Sequence, residues 1–412
     1  MTRRPVVVIV DSGLRGTGGH NLSYTSAVAR ALAERGAAVE VLVNRGCPAE
    51  LAARGGYHPA FTSGAYDHPL GRGRWRDLAY LYAQSEVFAQ ELEHAFARVL
   101  RRPADLVFSH TVADFELVGW RRFVRRSRFG GHLAVLLRNT PRYSTINPVR
   151  RRVNPYLRLR PACLSALARR LGDRFRLCTD SELLTRDYAR VYSGPIVTLP
   201  IPLTPEVRER TGGSRRAPVV PVVGFLGDAR TPKGFHLLPR AVDGVRAAGL
   251  EARFVVQCNL PLGGSEPAID AALQRLRSDS QVELVSTPLD DAAYASLLGR
   301  LDVVLLPYVH PTYQEATSGV FTEAVAQGTP VVVPTGGWMQ HELGDSGAGV
   351  TFDREHPEEM PGALVRLLRS LEIHRAAAQR RAETWRSIHN PEALVEKLFD
   401  ATMGPEPNRR LV

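Results

Sequence analysis

The chain has 412 residues, a formal net charge of +11, 44% hydrophobic residues and 23% charged ones. That length exceeds what one hydrophobic core organises, and that balance excludes a disordered or fibrous chain, so two globular domains are expected. No apolar run reaches membrane-spanning length, and the basic excess admits an anionic partner without choosing among nucleic acid, an acidic lipid surface and a phosphorylated substrate.

The first residues set basic side chains before an apolar run that stops at Asp11, too short for a secretory signal. Val6 to Val10 reads as a first strand, His20 to Arg35 as a helix and Val39 to Val43 as a second strand. Between the first strand and the helix runs Asp11-Ser-Gly-Leu-Arg-Gly-Thr-Gly-Gly-His20. It lacks the dinucleotide fingerprint, so no NAD site is expected, but glycine turns of this kind approach phosphates or sugars closely. Gly18 and Gly19 are the candidate contacts there, with His20 and His110 as candidate substrate contacts. From Asp77 to Arg101 the residues Leu78, Leu81, Val87, Phe88, Leu92 and Phe96 recur at helical spacing and read as core. Leu106 to Phe108 and Leu133 to Leu137 are further strands, the latter ending at Arg138.

Arg121 to Arg128 and Arg150 to Arg160 are basic but carry no nucleic-acid module and no regular aromatic interleave, so nucleic acid is not an expected partner. Val153 to Arg176 mixes Leu157, Leu159, Leu164 and Leu167 with Arg158, Arg160, Arg169 and Arg170, a pattern that suits a peripheral membrane contact or an anionic acceptor. A strand at Phe175 to Thr179, a helix from Ser181 and a strand at Ile196 to Leu199 lead to Pro200, Pro202 and Pro205. The polar stretch Arg208 to Arg216 that follows, with Gly212 and Gly213, reads as a linker.

The second half restarts the alternation with Val219 to Leu226, a helix after Gly234, Arg253 to Gln257, Val282 to Val285, Val303 to Leu306 and Val331 to Val333. Strands alternating with helices imply α/β folding with parallel sheets, and such sheets bind ligands beyond the carboxyl ends of their strands. The loops after Leu226, Val285, Leu306 and Val333 are therefore expected around one crevice. Cys47, Cys163, Cys178 and Cys258 show no metal-binding spacing and read as reduced packing residues of a cytoplasmic protein.

Tyr313-Gln-Glu-Ala-Thr-Ser-Gly-Val-Phe-Thr-Glu-Ala-Val-Ala-Gln-Gly-Thr-Pro-Val-Val-Val follows an apolar strand and contains a helix closed by Gly328 and Pro330. Thr317 or Ser318 is its expected cap. Its start at Ser318 and Gly319 would offer backbone N–H groups and a positive dipole end to a diphosphate. Glu315 precedes the helix and Glu323 lies one turn inside it, on the flank of Val320, Phe321, Ala324 and Val325. An ionised carboxylate accepts only, so a ribose or sugar diol is a natural partner for either.

The two glutamates, followed by Ala324 and by Gly328-Thr-Pro-Val-Val, resemble the donor-site signature of family 4 retaining glycosyltransferases. The resemblance implies the GT-B fold, two doubly wound Rossmann-like domains facing across a crevice. It implies that Glu315 touches the transferred sugar, that Glu323 holds the nucleotide ribose and that the amides of Ser318 to Val320 contact the diphosphate, with Thr317 beside them. Phe225-Leu-Gly-Asp-Ala-Arg-Thr-Pro-Lys-Gly-Phe is similar to the family's phosphate-binding loop, with Lys233 in the place of the family lysine. The family arginine normally follows the glycine directly, whereas this chain has Asp228 there and Arg230 two residues later. The loop at Gly18, Gly19 and His20 resembles the family's first glycine-rich loop, and Arg138 stands where many relatives carry histidine. Gly19 is thus expected on the donor side, and Gly18, His20, His110 and Arg138 on the acceptor or sugar side. The same likeness places Ser286 to Leu289 near the base and continues through Gly336 and Gly337.

The expected organisation is an acceptor domain over residues 1–203, a donor domain over 204–384 and a C-terminal helix over 385–412, with Trp385 to Leu398 crossing back to the first domain. No Asp-x-Asp pair occurs, so chemistry without a metal is expected; the resemblance implies sugar transfer with no other cofactor, from a UDP- or GDP-type donor to a glycan, lipid-linked or natural-product hydroxyl, with retained configuration. The alternatives are a nucleotide-sugar epimerase of the same fold and an inactive nucleotide-sugar-binding relative.

Overall fold

The computed structural model describes residues 3–16, 20–53, 56–65, 67, 74–141, 156–204, 206, 207, 220–260, 266–287 and 289–404. The predicted linker Arg208 to Arg216 and the candidates Gly18 and Gly19 lie outside them. The chain divides into two compact units, Met1–Pro202 with Pro391–Val412, and Leu203–Asn390.

In chain order the first unit contains β1 (Val6–Asp11), α1 (His20–Glu34), β2 (Ala38–Asn44), α2 (Ala49–Ala53), β3 (Tyr57–Phe61), α3 (Arg74–Val99), β4 (Leu106–Ser109), α4 (Asp114–Arg126), β5 (His132–Leu136), α5 (Tyr156–Leu171), β6 (Phe175–Thr179), α6 (Glu182–Ala189) and β7 (Ile196–Thr198). All seven strands pair in parallel in the order β3-β2-β1-β4-β5-β6-β7. Burial on both faces explains why β1 reads as an unbroken apolar run. Val8 and Val10 join a core with Phe88, Trp120 and Phe123, and Val7 and Ile9 alternate onto the opposite face.

That second face is completed by the end of the chain. Leu394, Val395, Leu398 and Phe399 pack there with Val28, Leu32 and Val41, each burial contributing about 1.5–3 kcal/mol. The returning helix begins later than the sequence suggests. Trp385 belongs to a helix that ends at Ile388, inside the second unit, where its indole Nε1 donates to the Thr322 carbonyl at 3.0 Å. The Asn390 side-chain amide donates to the carbonyls of Arg386 and Ser387 at 3.0 and 2.9 Å. Pro391 then starts a separate helix, since proline has no N–H to continue the first and fits a first turn.

The second unit contains β8 (Val222–Phe225), α7 (Leu238–Ala247), β9 (Arg253–Gln257), α8 (Pro267–Arg277), β10 (Val282–Val285), α9 (Asp291–Gly299), β11 (Val303–Leu305), α10 (Gly319–Ala326), β12 (Val331–Pro334), α11 (Trp338–Leu343), β13 (Gly349–Phe352), α12 (Met360–Arg369) and α13 (Leu371–Ile388); α14 (Pro391–Thr402) is the helix returned to the first unit. Its strands are again parallel, in the order β10-β9-β8-β11-β12-β13. The order reverses between β8 and β11, as it does between β1 and β4, and ligands of such sheets bind beyond the strand ends at these reversals.

Part of the leucine and arginine pattern of Val153 to Arg176 is spent internally, while Arg158, Arg169 and Arg170 are exposed. Leu164 and Leu167 of α5 are buried in the first core, and Arg160 is 5% exposed and ion-paired. The described part of α5 therefore presents neither those leucines nor Arg160 as a membrane face, because they complete the fold. All four cysteines are free and buried. Among the described residues no helix is long and apolar enough to cross a membrane.

Candidate functional site

At the β8–β11 reversal the sequence forces two backbones together. Gly234 has φ +72°, and a Cβ there would stand 2.0 Å from the Pro307 carbonyl oxygen, so only glycine lets the loop after β8 meet the loop after β11. Gly227, at φ +116°, donates its N–H to the Gln257 side chain at 2.8 Å. A Cβ on Gly227 would lie 2.5 Å from the Lys233 ammonium. Lys233 thus folds back over the glycine turn, 5.9 Å from the centre of the Tyr308 ring. Burial lowers its ionisation below the ordinary lysine range, while the charge of Asp228 pulls the other way. A short 3-10 turn, Thr231–Lys233, precedes Gly234, and a second, Phe235–Leu237, leads from it into α7, the helix expected there.

Asp228 and Arg230 form an ion pair at 3.2 Å, each roughly 40% exposed. The Arg230 Nε is buried and has no hydrogen-bond partner among the described residues. The aspartate in the place of the expected arginine therefore holds the displaced arginine beside Lys233.

Ser318 caps α10, its hydroxyl accepting from the Phe321 N–H at 3.2 Å. The preceding amides, of Gly319 and Val320, have no carbonyl of their own helix to bond. Thr317 lies just outside the cap, partly buried. Glu323, one turn in, accepts a hydrogen bond from the Tyr294 hydroxyl of α9 at 2.7 Å. Burial pushes the Glu323 carboxyl up to about 7, aided by the charge of Asp291; the Tyr294 bond and the charge of Lys233 oppose that rise. Glu315 sits in the loop after the Pro311–Tyr313 turn, near the buried Arg354 beyond β13, whose ionisation responds to the Glu315 charge. One edge of one sheet thus collects Lys233, Arg230, Ser318, Glu323 and Glu315. Sequence reasoning missed Tyr294, Tyr308 and Arg354. Only Arg354 left a signal, an arginine just past an apolar strand at the ligand-facing edge.

The first unit carries a second polar cluster at the carboxyl edge of its own sheet. Asp11 ends β1, fully buried, and accepts from the Thr25 hydroxyl at 2.8 Å. Burial pushes its carboxyl up to about 6. His110 follows β4, with Nε2 2.9 Å from the Thr25 hydroxyl and Nδ1 3.1 Å from the Thr111 hydroxyl. Burial, reinforced by the Arg138 charge, holds His110 well below the ordinary histidine range, so it is neutral at pH 7. Thr111 has φ +58°, the left-handed region that a β-branched residue rarely enters. Arg138 stacks on the Tyr24 ring at 4.3 Å and faces Asp180 at 3.7 Å. Glu116 pairs with the Ser12 hydroxyl and the Ala113 N–H, and burial pushes it up to about 8. Of the candidates named from sequence, His110 and Arg138 meet in this cluster; His20 opens α1. Asp11, Tyr24, Thr25, Glu116 and Asp180 were missed, because only the strand order brings them together.

Residues 220–370 match the family model described as glycosyl transferases group 1. A comparison with curated proteins finds no match. Among solved structures the chain is similar to sucrose-phosphate synthase from Thermosynechococcus elongatus, at TM-score 0.65 and 17% identity, covering 96% of this chain and 97% of that one. It is similar to a UDP-forming α,α-trehalose-phosphate synthase from Burkholderia xenovorans, at TM-score 0.67 and 11% identity, covering 98% and 100%. It is also similar to HepE of Anabaena in complex with UDP and glucose, at TM-score 0.63 and 13% identity, covering 96% and 98%. These likenesses, with the two parallel sheets and their strand orders, give the fold as GT-B, two Rossmann-like domains.

Proposed function

We propose that this protein is a glycosyltransferase that moves a sugar from a nucleotide-diphosphate donor to an acceptor hydroxyl. The carrying observation is the grouping of Lys233, the capped start of α10 and Glu323 at the β8–β11 reversal, within the segment that matches glycosyl transferases group 1. The neighbour bound to UDP and glucose supports a UDP-type donor, with GDP as the other base to test.

In this reading Glu323 accepts the ribose diol, the α10 amides and Lys233 receive the diphosphate, and Glu315 contacts the transferred sugar. As the bond to the diphosphate breaks, charge develops on the leaving oxygens. Fixed donors and a desolvated ammonium stabilise that charge without reorganising, so the step we propose needs no metal. The acceptor oxygen bonds to the anomeric carbon on the face that the diphosphate vacates and passes its proton to the leaving oxygen, which retains the anomeric configuration and calls for no separate base.

Binding and turnover separate the two glutamates. Glu323→Ala is expected to weaken UDP or GDP binding about 10- to 100-fold, the cost of hydrogen bonds to a charged group, as read by calorimetry. Glu315→Ala is expected to keep nucleotide binding and lower donor turnover by about tenfold or more. Unchanged affinity for both nucleotides in Glu323→Ala removes the ribose role.

The raised pKa of Glu323 adds a pH dependence. A diol donates to the ionised carboxylate, so affinity is fully present above pH 7 and declines as pH falls through 7, by up to about tenfold per unit. Tyr294→Phe removes a bond that favours the ionised form, so its affinity curve is expected to lie at higher pH than that of the wild type. Calorimetric titrations with UDP between pH 6 and 9 check this, since phosphate ionisation is common to both proteins and cancels in the comparison.

A further inference from the structure

Arg354 has no part in the chemistry above, yet it is 7% exposed, two residues past the end of β13. Its N–H donates to the Thr335 hydroxyl at 3.2 Å, its Nε to the Thr335 carbonyl at 2.9 Å and its Nη1 to the Tyr308 carbonyl at 3.0 Å. One guanidinium therefore ties the loop after β11 to the loop after β12. Gly337 lies against it: a Cβ there would stand 2.7 Å from Nη2 and 3.1 Å from the Gln314 carbonyl oxygen. The Trp338 N–H donates to that same carbonyl at 2.6 Å. The guanidinium, the glycine pair and the Gln314–Glu315 turn thus meet in a space that admits no larger residue at position 337.

Nη2 is buried without a hydrogen-bond partner among the described residues. Burial lowers the ionisation of Arg354, opposed by the charges of Glu355 and Glu315. A buried cation is a costly brace, and an apolar residue of similar volume often serves packing as well or better. What an arginine adds is a rigid planar fork that fixes several acceptors at once.

We propose that Arg354 is the positioning residue for the sugar side of the site, holding the Gln314–Glu315 turn so that the Glu315 carboxylate is directed at the transferred sugar. The proposal rests on the reading of Glu315 as a sugar contact, and its structural half stands apart from that reading.

Arg354→Gln and Arg354→Lys test it, the second keeping the charge without the fork. Without ligand, amide hydrogen exchange is expected to rise in peptides covering 308–318 and 335–338 in both variants and to stay unchanged over 225–234. With ligand, UDP affinity is expected to persist while kcat for hydrolysis of the nucleotide sugar falls about 100-fold, the cost of small misplacement of a reacting group. Unchanged exchange over 308–318 overturns the proposal, as does a parallel loss of UDP affinity and turnover. If the wild type neither binds UDP or GDP nor consumes their sugars, the functional reading falls, and the exchange result still decides whether Arg354 fixes the turn.

Discussion

Lys233→Met is expected to lower kcat/KM for the nucleotide sugar by about 100- to 1,000-fold, the usual cost of removing one preorganised donor from a developing negative charge. The ammonium sits over Gly227 and beside the Tyr308 ring, and its surroundings favour the neutral amine. That unfavourable setting is the argument for function. A lysine kept there for stability would be better replaced by an apolar chain of similar length, which removes the desolvation cost. Lys233→Met should therefore melt at or above the wild-type temperature while losing turnover, and differential scanning fluorimetry beside donor-hydrolysis kinetics reads both. Wild-type turnover in a well-folded variant would end the phosphate role of Lys233. Arg230→Ala supplies the comparison: Asp228 already holds that guanidinium, and the residue is more exposed, so its loss should cost less.

The strand and glycine loops around this lysine are readable in sequence because their constraints are local. Gly227 and Gly234 each leave no room for a side chain, and Ser318 caps a helix three residues before the amide it serves. The parallel strands are likewise visible as short apolar runs, since burial on both faces removes polar alternation. What escapes the sequence depends on pairing across long separations. Tyr294 reaches Glu323 from a different helix, and Arg354 reaches Tyr308 across 46 positions. The edge strand β3 is also illegible: Tyr57–Phe61 contains His58 and Pro59 and has only two buried residues. The break at Asn390 and Pro391 could have been read, because proline restricts the residue before it and starts helices readily.

The basic stretch before residue 160 illustrates the same limit and leads to the largest stability effect expected in the first unit. Arg160 donates from Nε to Asp114 Oδ1 at 2.8 Å, and from Nη1 to the Thr140 carbonyl at 2.9 Å and the Tyr188 hydroxyl at 3.1 Å. Tyr188 in turn donates to the Asn139 carbonyl at 2.8 Å. Arg160→Met removes the guanidinium that pairs with the buried Asp114 carboxylate, at a cost of about 3–5 kcal/mol. For a unit of this size that corresponds to a melting temperature lower by about 6–20 °C. Asp114→Leu added to Arg160→Met removes the buried carboxylate as well and should recover most of the loss, measured on the same melting transition. The network also holds Asn139 and Thr140, immediately after Arg138, so the single variant should loosen the Arg138 and His110 cluster as well. UDP affinity, which the reading assigns to the second unit, should persist in Arg160→Met at temperatures below its transition. A variant that loses UDP binding while still folded would show that the first unit shapes the nucleotide site, and would move Arg138 from the acceptor side to the donor side.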